Sequence, residues 1–213
     1  MSHAPASRRD EWANSLTHGL GTLLSIAALV VMVVFAALNG TARHVVSVAL
    51  FGSALVALYA MSTLYHAFRG PRVKHVFHIL DHAAIFLLIA GTYTPFCLAT
   101  LRGGWGWSLF GIIWGLALLG MTFKAFFGPR LRWLSVSVYV AMGWIVIIAA
   151  KPLVNALPFG GLLALFGGGF FYTIGVIFYL WKSLPHHHAI WHLFVMLGSA
   201  CHVAAVMIYV IPW

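Results

Sequence analysis

Residues 16–38 read LTHGLGTLLSIAALVVMVVFAAL, a stretch with no Asp, Glu, Lys or Arg. About 20 predominantly apolar residues suffice for a helix to cross the hydrocarbon core of a bilayer. The stretch is longer than the 7–15 residues or so of a signal-peptide core. Asp10 and Glu11 also stand among the basic residues before it. The reading is therefore a first membrane span, with residues 1–15 as a short segment on one side and 16–213 as the transmembrane domain.

Six more apolar runs follow, at approximately 43–67, 76–100, 105–126, 132–151, 159–182 and 188–211. The breaks carry turn and helix-stop chemistry at Asn39-Gly40, Gly70-Pro71, Gly103-Gly104, Gly128-Pro129 and Pro185. Trp105, Trp107 and Trp133 stand where interfacial anchors are placed. Composition agrees: 62% of the 213 residues are hydrophobic and 7% are charged, against about 25% charged in soluble domains. The fold expected is an all-α, polytopic bundle of seven transmembrane helices. Gly167-Gly168-Gly169 reads as close helix packing by small residues. Cys97 and Cys201 are isolated and suggest neither a disulfide nor a redox motif.

The net charge of +9 does not read as nucleic-acid binding, because the Lys and Arg residues sit in the gaps between runs. They serve instead as orientation signals. Arg8, Arg9, Arg69, Arg72, Lys74, Lys124, Arg130, Arg132 and Lys182 fall on one side, and Arg43, Arg102 and Lys151 on the other. The positive-inside rule then places the N-terminus in the cytoplasm and the C-terminus outside. A reporter fused at Trp213 tests this.

Asp81 is the one acid within the runs. A carboxylate near hydrocarbon needs a cation, water or a metal site, or else serves as an interfacial anchor. His188 and His192 are one helical turn apart, about 6 Å along the axis on one face. This suits two nitrogen ligands of one zinc ion, although the tract His186-His187-His188 makes a chance match easier. His66 ends the second run at the same membrane face, so His66, His188 and His192 can converge at one depth. Three His with one open position is a catalytic-type zinc shell. Asp81 would then orient water or accept its proton, and Ser62 lies one turn deeper than His66. A rival cluster is His75, His78 and His82, which also reads as a basic interfacial fringe together with His186 and His187. His202, about 21 Å from His188 along the helix, reads as a buried polar contact with Ser199 or a supporting element. Glu11, Asn14 and His18 recur at roughly helical spacing and fit a capped lead-in to the first run.

These residues taken in order resemble the hemolysin III family, the bacterial branch of the progestin and adipoQ receptor superfamily. The resemblance covers nearly the whole chain. It rests on Glu11-x-x-Asn14-x-x-Thr17-His18, Ser62-x-x-x-His66, Leu80-Asp81, Gly91-Thr92-Tyr93-Thr94-Pro95, His188-x-x-x-His192 and His202. The family implies a seven-helix bundle with a cytoplasmic N-terminus, in the cytoplasmic membrane of a bacterium. It implies zinc on His66, His188 and His192, with Asp81 and Ser62 in support. The resemblance extends to intramembrane ceramidases, which hydrolyse lipid amides.

Three functions are carried forward from this reading. The first is a zinc-dependent hydrolase of a membrane lipid amide or ester. The second is a non-enzymatic sensor of membrane state with structural zinc. The third is a pore or ion transporter, against which stands the near absence of charged residues along the runs. Membrane lipids are the expected partners, and self-association is compatible with all three functions.

Overall fold

The structure, a computed structural model, describes residues 7–128 and 131–212. Pro129, Arg130 and Trp213, used in the turn, charge and reporter readings above, lie outside the described residues, as does the start of the N-terminal segment. The described chain is helical throughout, and seven helices or helix pairs are long and apolar enough to cross a membrane.

Helix α1 runs Arg8–Asn39 and begins earlier than the apolar run. Its start is set by a capping box: Asp10 N–H donates to Ser7 Oγ, and Ser7 N–H donates back to the Asp10 carboxylate. Glu11, Asn14 and His18 therefore stand on the first spanning helix itself. Helix α2 (Ala42–Ala67) returns after Gly40. Helix α3 (Pro71–Pro95) opens with Pro71 in its first turn, where a missing N–H costs nothing. Pro95 has no N–H to continue the ladder, and the chain widens into a π-helical turn over Phe96–Leu101.

Helix α4 (Gly103–Phe127) ends at Gly128 with φ +62°. The fifth crossing is broken rather than continuous. Helix α5 (Arg132–Trp144) passes through a 3₁₀ turn (Ile145–Ala149) into α6 (Ala150–Ala156). The Tyr93 hydroxyl fills the break. It lies 2.9 and 2.8 Å from the carbonyls of Met142 and Gly143, and it accepts the Val146 N–H at 2.9 Å. Helices α7 (Phe159–Leu180) and α8 (His187–Tyr209) complete the bundle.

Helices α1 to α4 pack in chain order, α7 pairs with α8, and α8 closes back onto α1. Helix α5 packs only lightly on α3 and α7. The core is built from Phe51, Leu55, Ile113, Met142 and Val206. Large apolar side chains such as Leu23, Leu38, Leu119, Phe126, Ile148 and Phe159 face outward. In water so much exposed apolar surface would drive association, whereas lipid solvates it. Of the triple glycine only Gly168 packs closely, because the His202 ring occupies the space a Cβ would need, whereas a Cβ at Gly167 would meet nothing.

Candidate metal centre and its cavity

The end of the bundle where α1 and α3 begin gathers the chemistry. His66 comes from the last turn of α2, and His188 and His192 come from the first turns of α8. One ring nitrogen from each lies within 4.8 Å of the other two, the only such group of three among the described residues. His66 and His192 are buried, and the Nε2 atoms of all three are buried without a hydrogen-bond partner. An unmet buried polar atom costs about 1–3 kcal/mol, so three of them converging on one point call for a shared partner.

For His66 and His192 the surrounding contacts fix which nitrogen is free. His66 Nδ1 lies 2.6 Å from Glu11 Oε2. A carboxylate only accepts, so His66 donates from Nδ1 and its lone pair is on Nε2. His192 Nδ1 lies 3.0 Å from Thr17 Oγ1. That hydroxyl is already committed as donor to the Ala13 and Asn14 carbonyls, each at 2.9 Å. It therefore accepts from His192, whose Nε2 is again the basic atom. A metal-bound histidine almost always donates its other N–H to a carboxylate, carbonyl or water. The donor set fits a soft-to-borderline divalent cation such as zinc.

Glu11 is itself held by Lys74 Nζ at 2.7 Å. His18 stacks on His192, with ring centroids 3.4 Å apart and planes 13° apart. Both ring nitrogens of His18, and Oδ1 of Asn14, are buried and unpartnered. Glu11 and His18 thus contact candidate ligands directly, and Asn14 lies between them on α1 with its carboxamide oxygen buried. The sequence assigns Thr17 no part beyond its place in the family pattern. The signal available was its position one residue before His18, which sets it beside His192 when α1 packs against α8.

Asp81 is buried on α3, with Oδ2 3.6 Å from His82 Nδ1, and the Ser62 hydroxyl lies beside it. Asp81 and His18 both open onto an apolar cavity of about 150 Å³. From there the cavity follows α3 to Thr92 and Tyr93, between Val140 and Trp144 of α5 and Val176 of α7. Eleven residues from Asp81 to Thr92 amount to about 16 Å of helix.

The rival cluster divides. His78 stacks on Tyr65 with centroids 4.6 Å apart, but His82 turns inward, donates from Nδ1 to the His78 carbonyl and lines the cavity. His82 is therefore not part of an interfacial fringe, since as the neighbour of Asp81 it follows that residue into the bundle. His186 does sit at the surface, 2.7 Å from Asp10. His202 is remote from the three histidines. It stands on the cavity wall, donates to the Gly198 carbonyl at 2.8 Å and stacks on Tyr172. Its expected link to Ser199 is indirect, because it is the Tyr172 hydroxyl that bonds Ser199, at 2.9 Å.

Residues 6–203 match the family described as haemolysin-III related. The chain is 50% identical to "Hemolysin-3" of Bacillus cereus over 96% of its own length and 93% of that protein. It is 50% identical to the "Hemolysin-3 homolog" of Bacillus subtilis (strain 168) over 94% of each. It is 29% identical to the human "Monocyte to macrophage differentiation factor" over 98% of this chain and 91% of that one. No solved structure gives a significant match.

Proposed function

Because the chain belongs to the haemolysin III family, we propose that it works in the bacterial cytoplasmic membrane as a zinc-dependent hydrolase of a lipid amide or ester. The observation that carries this reading is the meeting of three unpartnered His nitrogens, one buried carboxylate and one apolar cavity at the same end of the bundle.

Zinc held by Nε2 of His66, His188 and His192 would supply Lewis acidity, polarising an acyl carbonyl and making water more acidic. Glu11 and Thr17 hold the imidazoles of His66 and His192 in the required tautomer and orientation. Asp81 takes the proton from the attacking water on a carboxylate oxygen and passes it to the departing amine or alkoxide. The products are a fatty acid and a lipid amine or alcohol. Ser62 and Asp81 are both buried, which keeps bulk water away from the carboxylate. The acyl chain occupies the cavity between α3, α5 and α7.

A structural zinc clip is the second reading. It is favoured by the ligands coming from two helices, α2 and α8, that a third helix, α1, already ties together. Untargeted lipid analysis of cells carrying the wild type or Asp81→Asn, with metal content measured on both purified proteins, separates the two. The hydrolase reading expects both proteins to hold zinc and fatty acid release to fall about 10²–10⁴-fold in the variant. Zinc retained in both with identical lipid profiles overturns it in favour of the clip.

A further inference from the structure

The opposite end of the bundle carries a second concentration of chemistry, unrelated to the histidines. Arg43 in the first turn of α2 and Arg102 at the start of α4 line the same two adjoining grooves, of about 330 and 230 Å³. Both arginines are exposed. The chain's three acids, Asp10, Glu11 and Asp81, all belong to the histidine end, and among the described residues neither arginine pairs with a carboxylate.

Arg102 is held in place. Its backbone takes φ +49°, a left-handed value that a non-glycine residue adopts at a cost, and its Nε donates to the Ala99 carbonyl at 2.8 Å. The terminal nitrogens of the guanidinium fork are left to face outward as donors. His44, on the wall of the larger groove, accepts the Thr41 N–H on Nδ1 at 3.0 Å, so the proton of its neutral ring sits on Nε2. The polar end of the grooves therefore offers donors and no acceptor charge. The smaller groove continues onto Val46, Leu98 and Trp107, which are apolar.

We propose that this is a binding site for the phosphate of an anionic phospholipid. Guanidinium forks match phosphate oxygens in pairs. The grooves lie at the ends of spans, at headgroup depth, where the exposed ring of Trp107 also sits. The absence of a carboxylate selects against zwitterionic lipids, whose ammonium would find no partner. The apolar continuation accommodates the first part of an acyl chain, which free phosphate lacks. The proposal stands independently of the hydrolase reading.

The test is native mass spectrometry of the protein released with phosphatidylglycerol or phosphatidylcholine. The comparison is between the wild type, Arg43→Gln/Arg102→Gln, and Lys151→Gln as a control for charge toward that end but outside the grooves. Phosphatidylglycerol retention is expected to fall about tenfold or more in the double variant. It should hold in Lys151→Gln and resist competition by millimolar inorganic phosphate, while phosphatidylcholine retention is unchanged. Should the double variant not fold, Arg43→Lys keeps the charge without the fork and is expected to lose phosphatidylglycerol measurably. Wild-type retention in the variants, an equal loss in Lys151→Gln, or full displacement by inorganic phosphate overturns the assignment.

Discussion

His66 Nδ1 donates to Glu11 Oε2 across 2.6 Å, joining residues 55 positions apart and tying α1 to the last turn of α2. The pair does two jobs. It leaves Nε2 as the basic nitrogen of His66, and it places a negative charge behind the imidazole that strengthens it as a ligand. Glu11→Gln removes that charge and also releases Lys74. Zinc affinity, measured by competition against a fluorescent chelator, is expected to fall about 10–100-fold. An affinity within twofold of the wild type would remove Glu11 from the centre.

Thr17 does the same for His192 without a charge, so its loss should cost less. Thr17→Val keeps the shape and removes the oxygen that accepts from Nδ1. About a tenfold loss of zinc affinity is expected. Thr17→Ser, which restores the oxygen, should recover most of it. Failure of the serine variant to recover would mean that packing, not the hydrogen bond, is what Thr17 supplies.

The bundle was legible because lipid imposes a simple pattern, uncharged runs long enough to span it, and residues 16–38 show that pattern openly. The convergence of His66, His188 and His192 was legible because run parity and i,i+4 spacing place them at one face. Other features depend on contacts between distant helices. In the 132–151 run Gly143 is a weak local hint of the break after Trp144. The break forms because Tyr93, from another helix, satisfies the backbone groups that the break frees. Glu11 lies before the first apolar run, where spacing alone reads as a capped lead-in, and it reaches His66 because the Ser7 cap extends the spanning helix back through it. His82 looked like one more fringe histidine because a charge-rich helix end does not reveal which side faces inward. The cavity is a property of three helices together and left no mark on any one run.

The cavity should set the length of chain that the site accepts. Thr92 lies at its inner end and is buried, with its hydroxyl returned to the Leu88 carbonyl. Thr92→Phe places a ring in that space. Chromatography of released fatty acids is expected to show a shift toward shorter chains, with zinc content unchanged. An unaltered chain-length profile would mean that the acyl group lies elsewhere.

Lys182, in the turn between α7 and α8, stands over the Tyr179 ring at 4.7 Å. Burial first, and then the neighbouring charge of Arg132, lower its amine to about 8. An unfolded lysine keeps its proton to about 10.4. Between these values the unfolded chain binds more protons than the folded one, so the stability this group contributes rises with pH across that window and is lowest below it. Acylation of Lys182, followed by peptide mass spectrometry, should accelerate with a midpoint near 8. The midpoint should move upward in Arg132→Gln. A wild-type midpoint at the ordinary lysine value would contradict the placement of this turn.

Gly168 tests the inner packing. A Cβ built there would meet Cε1 and Nδ1 of His202 and approach the Gly198 carbonyl. The His202 ring cannot simply step aside, because Nδ1 is bonded to that same carbonyl and the ring face is stacked on Tyr172. Gly168→Ala therefore has to push α7 away from α8 or break the His202 bond. Either route should destabilise the protein by about 1–3 kcal/mol, the usual cost of overfilling a packed interior. The readout is the melting temperature of the protein in mild detergent. Gly167 supplies the internal control, since a Cβ there meets nothing. Gly167→Ala should hold or raise the melting temperature, because alanine is the better helix former. Equal behaviour of the two variants would mean that α7 does not present Gly168 to α8.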